Sequence, residues 1–179
     1  MHGQVTEFIK SVRSRFPAYF SGGEVVEFGS YDMNGSVRPL FGNDVRYTGV
    51  DNRPGKGVDV VALCHLYEHD PEFVVDVVVS TEMLEHDPHW EDTIRAALTM
   101  LRPGGLFAFT CAGPNRNPHE VECAPDGKHY RNLTPDDVRR VWSEWFASNG
   151  HSFEPTPTRH LQVVRGGKDL QGFIIVPGR

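Results

Sequence analysis

The chain lacks several features that would each commit it to a class. Only three of its 179 residues are cysteine (Cys64, Cys111 and Cys123), and none form a CxxC pair. An odd count so spaced argues against a disulfide framework and fits a reducing compartment, so a cytoplasmic protein is expected. No apolar run exceeds strand length, so no membrane span is expected. The start, MHGQVTEFIK, has no apolar core of the kind a secretory leader carries, and no leader is expected. Positive charge is scarce: 18 Lys and Arg against 24 Asp and Glu give a net charge of −6, and basic residues gather no further than pairs such as Arg139–Arg140. A phosphate backbone calls for a basic face, so nucleic acid is not the expected partner. A GxGxxG after the first apolar strand is missing too, which counts against a nicotinamide dinucleotide. There are no repeats, low-complexity tracts or linkers. With 39% hydrophobic and 23% charged residues, positions 1–179 read as one globular domain.

What is present is concentrated in Asp76–Gly105, DVVVSTEMLEHDPHWEDTIRAALTMLRPGG. It opens as an unbroken apolar strand, the pattern of a parallel sheet covered on both faces. It breaks into Ser80, Thr81, Glu82, Glu85 and His86, continues as an amphipathic helix, and turns through Pro-Gly-Gly into a second apolar strand, Leu106–Cys111. Ligands of such sheets bind at the carboxyl ends of the strands, which places Thr81–His86 at a binding site.

The remaining elements follow from periodicity and punctuation. Val5, Phe8, Ile9, Val12 and Phe16 recur at helical spacing within residues 1–20 and give an N-terminal helix ending before Pro17. Strands are expected at Val25–Phe28, Arg46–Val50, Val58–Ala62 and Asp76–Ser80, with a short helix over Ser36–Gly42 and no full helix in NRPGKG, Asn52–Gly57. Residues 112–132 read as a long polar loop, a candidate substrate lid holding His119, Glu120, His129, Tyr130 and Arg131. Thr134-Pro135-Asp136-Asp137 is a helix start, and Val138, Val141, Trp142, Trp145 and Phe146 form the buried stripe behind it. Two β-rich segments, 152–165 and 172–176, joined by Gly166-Gly167, complete the chain. The expected fold is a three-layer α/β/α sandwich, a Rossmann-like, mostly parallel seven-stranded sheet with an antiparallel C-terminal hairpin.

In this order VVEFGS (Val25–Ser30) with NGS (Asn34–Ser36), YTGVDN (Tyr47–Asn52), DVVVSTEMLEH (Asp76–His86) and LRPGGLFAFT (Leu101–Thr110) resemble the class I S-adenosylmethionine-dependent methyltransferases over roughly residues 24–111. The resemblance implies S-adenosyl-L-methionine as cofactor, with Glu27 orienting its methionine ammonium and Gly29, Ser30 and Tyr31 lining methionine and ribose. A helix beginning near Ser36 would aim backbone N–H groups at its carboxylate. Asp51, about twenty residues after the glycine loop, suits the ribose hydroxyls. Asn52 and Arg53 flank the adenine, Cys64 and His65 touch it, and Thr81, Glu82 and Met83 form the far wall. Glu85 and His86 are the candidates for chemistry, His86 because its ordinary pKa lies near neutrality. Asn34 reads as a turn residue.

Two positions depart from the family pattern. Tyr31 stands where the second loop glycine is usual, and Leu63 or Cys64 where an acid often meets the adenine amino group. These departures keep open a catalytically inactive binding or scaffold protein of the same fold. The pairs His65/His69 and His86/His89 have ligand-like spacing, but they fall on separate loops and no metal is expected. The expected acceptor is a small or carbohydrate-like molecule, with oxygen or nitrogen as the methylated atom and entry over the N-terminal helix, Glu85–His89 and the 112–132 loop. The residues do not fix an oligomeric state.

Overall fold

The computed structural model describes residues 3–119, 121–123, 127–154 and 156–178, with the side chains of 121–123 outside the description. The N-terminal helix α1 (Gly3–Arg15) buries Val5, Phe8, Ile9 and Val12, and a 3-10 turn at Pro17–Phe20 follows it. Then come β1 (Glu24–Phe28), β2 (Arg46–Asp51), β3 (Val60–Val61), β4 (Val75–Thr81), α2 (Trp90–Met100) and β5 (Leu101–Ala112). A small hairpin of β6 (Val121–Cys123) and β7 (Gly127–His129) precedes α3 (Pro135–Ser148), β8 (Arg159–Val164) and β9 (Asp169–Ile175).

Seven strands form one sheet in the order β3-β2-β1-β4-β5-β9-β8. β3, β2, β1, β4 and β5 run parallel, and β9 is antiparallel to both β5 and β8. Because successive side chains of a strand point to opposite faces, the Val-rich strands feed two cores. Val26, Phe28, Val78, Phe107 and Phe109 pack under α2 and α3, while Val25, Val77, Val79, Leu106 and Ala108 pack under α1. The observed architecture is the Rossmann-like α/β/α sandwich, with an antiparallel C-terminal pair. α2 presents Trp90, Thr93, Ile94, Ala97 and Leu98 to the core, a stripe at three- and four-residue spacing. Thr134 caps α3: its side chain accepts from Asp137 N while the Asp137 carboxylate accepts from Thr134 N, a capping box.

The chain winds outward from β1 in one direction to β3 and then in the other from β4 to β5. The crevice between β1 and β4 is the switch point at which such sheets bind ligands.

Several expected elements are corrected. The helix over Ser36–Gly42 is only a 3-10 turn at Arg38–Leu40, so no helix dipole is aimed from there. Seven residues nucleate a helix poorly, and local polar bonds hold the segment instead: Asp32 accepts from Gly35 N and Ser36 Oγ from Arg38 N. The third strand shrinks from Val58–Ala62 to Val60–Val61 because the Asp59 carboxylate takes Gly49 N–H at 2.7 Å, displacing a ladder bond. The 152–165 segment is strand only from Arg159 to Val164, and the 112–132 loop contains the β6–β7 hairpin. Trp142 and Phe146 are buried as expected, but Trp145 is half-buried, with its indole N–H donating to Thr99 Oγ1 across the α2–α3 seam. Cys64 and Cys111 are buried free thiols, while the Cys123 side chain lies outside the described residues. Among the described residues no helix is long and apolar enough to cross a membrane.

Candidate active site

Where β1, β2 and β4 end, the chain opens a cleft of about 460 Å³, within the roughly 300–1,000 Å³ of small-molecule sites. All thirteen residues singled out for cofactor or chemistry line it: Glu27, Gly29, Ser30, Tyr31, Asp51, Asn52, Cys64, His65, Thr81, Glu82, Met83, Glu85 and His86. Arg53 and Leu63 line it too, and so does Asn34, read from sequence only as a turn residue. No residue of α1 does, because its apolar face is spent on the sheet; the expected entry over that helix is corrected. Glu120 lies outside the described residues.

One wall is built from the end of β1. Gly29 has φ +77, and a Cβ there would run into the Met83 side chain, so only glycine keeps this approach open. The Gly29 and Ser30 N–H groups both donate to Val50 O, tying the loop to β2. Tyr31 is accommodated rather than obstructive. Its backbone N–H donates to Asp51 Oδ2 at 3.2 Å, and the Arg53 guanidinium lies 5.0 Å from its ring centroid. Its ring seats against Gly55, where any Cβ would collide with it. The glycine-rich NRPGKG segment thus makes the room that a second loop glycine would have made. Asp51, only 6% exposed, also accepts from Arg53 N at 3.0 Å, which fixes its carboxylate.

Glu27 is buried beside it and accepts from Tyr47 Oη at 2.8 Å. Burial pushes its pKa up to about 7, against the lowering effect of the Tyr47 hydrogen bond. Cys64 follows β3 in a 3-10 turn, and burial raises its thiol pKa far above the ordinary range, so it is an inert wall residue.

The opposite wall carries the charge network. Glu82 follows β4 directly in a left-handed conformation, φ +55. It accepts from Thr110 Oγ1 at 3.0 Å and from Arg116 Nη1 at 2.5 Å. The same guanidinium pairs through Nη2 with buried Asp169 and stands 3.8 Å from Glu85 Oε1. Glu85 is wholly buried, and neither carboxyl oxygen has a hydrogen-bond partner among the described residues. Burial, then the neighbouring Glu82 charge, pushes its pKa upward.

His86 sits where three rings meet, 5.2 Å from His119 and 5.4 Å from Tyr130 between centroids. Its Nδ1 lies 3.3 Å from His129 O. A carbonyl only accepts, so Nδ1 carries the proton and Nε2 keeps its lone pair. Burial lowers the His86 pKa, which keeps the ring neutral at pH 7. The pairs with ligand-like spacing come apart: His65 lies 4.2 Å from His89 between tilted rings, His69 lies 3.8 Å from Glu24 at the start of β1, and His86 joins His119. Arg131, grouped with the lid from sequence, instead pairs with Asp137 and covers the Trp90 ring.

A family model described as a methyltransferase domain matches residues 1–166. The chain belongs to the methyltransferase-domain family. Solved structures share its fold. An S-adenosylmethionine-dependent methyltransferase from Clostridium acetobutylicum superposes with TM-score 0.66 at 9% identity, covering 99% of this chain and 93% of its own. The 1,6-didemethyltoxoflavin N1-methyltransferase of Burkholderia thailandensis, with its substrate and S-adenosylhomocysteine bound, gives 0.61 at 14% identity over 97% and 90%. An N-methyltransferase from Bradyrhizobium japonicum in complex with S-adenosylhomocysteine gives 0.57 at 14% over 95% and 88%. No curated protein matches the chain. The chain is thus a class I methyltransferase, and S-adenosylmethionine is the cofactor of its class.

Sequence reasoning missed Arg116, the centre of the acidic wall of this methyltransferase. The signal was available in part. Glu82 and Glu85 crowd one strand end, and the first arginine after β5 falls at the same edge of the sheet. Buried carboxylates demand such a partner.

Proposed function

We propose that this methyltransferase holds S-adenosylmethionine in the cleft at the ends of β1, β2 and β4 and methylates an oxygen or nitrogen of a small or carbohydrate-like acceptor in the cytoplasm, residues 1–179 acting as one domain. The observation that carries the reading is the pairing of two buried carboxylates, Glu27 and Asp51, across the glycine opening at Gly29. The residues fit the cofactor: Asp51 is fixed to accept ribose hydroxyls, Glu27 to receive an ammonium, and glycine at 29 lets the loop turn closely against Met83 on the facing wall. The neighbours crystallised with S-adenosylhomocysteine support the same occupant, and the toxoflavin precursor in one of them supports a small acceptor.

Bound S-adenosylmethionine supplies an already activated methyl group on a sulfonium. The chain's own task is to align the acceptor, exclude water and take a proton. The His86 Nε2 lone pair receives the proton that an acceptor hydroxyl gives up as its oxygen is methylated. Glu85, kept neutral by burial, offers the acceptor a hydrogen-bond donor rather than a second negative charge. The ground for a scaffold reading weakens, because the β2–β3 segment absorbs Tyr31.

The proposal has a pH signature. Glu27 is protonated below about 7 in the folded protein, and a neutral carboxyl does not hold an ammonium. Calorimetric titration with S-adenosylhomocysteine should show affinity falling about fivefold from pH 7 to pH 6 as Glu27 takes up its proton, with deprotonation of the ligand's own α-ammonium setting the alkaline limb. Glu27→Gln should bind more weakly and lose the acid limb. An acid limb that survives in Glu27→Gln would remove Glu27 from the ammonium site. Because the folded-state pKa is raised, the ligand-free protein gains stability from this group at low pH and loses it as pH rises towards 7.

A further inference from the structure

Beside the cleft lies a second pocket of about 340 Å³, lined by Arg116, Asn117, His119, Arg165 and Lys168. Arg116 and His119 line both spaces, so the two are contiguous. Among the described residues no carboxylate lines the second pocket, although the chain as a whole carries a net charge of −6. Arg116 is held by Glu82 and, with Arg165, by Asp169 behind the wall, with Glu85 3.8 Å away, whereas Lys168 has no ion pair among the described residues and Arg165 has only Asp169, which it shares. The lining therefore carries a surplus of positive charge.

The pocket is built by two segments clasped together. Asn115 N donates to Gly167 O at 2.8 Å, and its side-chain amide donates to Gly166 O at 3.0 Å. Gly113 N donates to Lys168 O at 2.8 Å, and Arg116 Nε to the same oxygen at 3.1 Å. This clasp holds the β8–β9 turn in three successive left-handed residues, Arg165 at φ +55, Gly166 at +63 and Gly167 at +92. Arginine rarely adopts that conformation, and residues so held concentrate at functional sites.

We infer that this pocket anchors an anionic group of the acceptor, so that the substrate is a small carboxylate or phosphate-bearing molecule whose hydroxyl or amine reaches back to His86. The inference rests on the methyltransferase reading. Guanidinium and ammonium groups converging on one cavity recognise carboxylate and phosphate by charge-assisted hydrogen bonds. An anchor on one side of Arg116 and a proton acceptor on the other fix the acceptor at two points, which is what positioning catalysis requires.

The test is calorimetric titration of the full chain at low ionic strength, with and without saturating S-adenosylhomocysteine. The probes are citrate and glycerol 2-phosphate, with glycerol as the neutral control. Both anions, or one of the two, should bind and glycerol should not; which of them binds more tightly separates a carboxylate acceptor from a phosphate one. Lys168→Glu and Arg165→Gly, the latter suited to the left-handed backbone, should weaken the anion more than tenfold, leaving the melting temperature and the S-adenosylhomocysteine affinity near wild type. Anions that bind no better than glycerol, or that bind both variants as they bind the wild type, would overturn the inference. Failure of S-adenosylhomocysteine to bind the wild type would defeat the cofactor reading instead, and the titration without it still judges the pocket.

Discussion

Arg116→Ala is expected to lower the melting temperature of the ligand-free protein by roughly 6 to 20 °C. The guanidinium is only 10% exposed and contacts Glu82, Glu85 and Asp169, whose side chains are 18%, 0% and 5% exposed. Removing one partner from a buried charge network leaves the others uncompensated, at about 3–5 kcal/mol, and a domain of this size shifts by about 2–4 °C per kcal/mol. The same change loosens the loop after β5 from the β8–β9 turn, because Arg116 Nε donates to Lys168 O. Arg116→Lys should recover only part of the loss, since an ammonium does not reproduce a fork that reaches two carboxylates through separate nitrogens. Differential scanning calorimetry decides it. An alanine variant melting within 2 °C of wild type would mean that the three acids do not depend on this residue.

His86→Ala should lower kcat by about 10²–10⁴-fold, the usual worth of a positioned general base, while the Kd for S-adenosylhomocysteine stays near wild type. The tautomer set by His129 O and the downward shift of its pKa both leave Nε2 ready to accept a proton at neutral pH. At saturating cofactor, where the Glu27 binding effect is masked, kcat of the wild type should therefore decline as pH falls below about 6.5, the ordinary histidine value, with the midpoint under it, and His86→Gln should abolish that limb. If the substitution raised KM and left kcat unchanged, His86 would be shaping the pocket rather than moving a proton.

The contrast between these two residues shows what was legible. His86 stands in a motif eleven residues long at a strand end, Asp76–His86, so both its place and its chemistry could be read locally. Arg116 draws its meaning from Glu82, 34 positions earlier, and Asp169, 53 later. No local pattern encodes such a pairing. The sheet was legible because Val77–Val79 is apolar on both faces, a demand that a covered parallel sheet satisfies. Ser36–Gly42 was misread for the opposite reason: its pattern is short enough that Asp32, Ser36 and Pro39 outweigh it. Tyr31 was visible as a departure from the glycine loop, but its remedy at Gly55 lies across the sheet edge and needed coordinates.

The central claim is that Asp51 and Glu27 bracket a nucleoside-sulfonium site. It is tested most directly by isothermal titration of S-adenosylhomocysteine into the wild type and Asp51→Ala. The account predicts micromolar-range binding to the wild type, weakened roughly 100-fold or more in the variant, since hydrogen bonds to a charged group contribute about 1.5–3 kcal/mol each. No binding to the wild type, or equal binding to both, would contradict it.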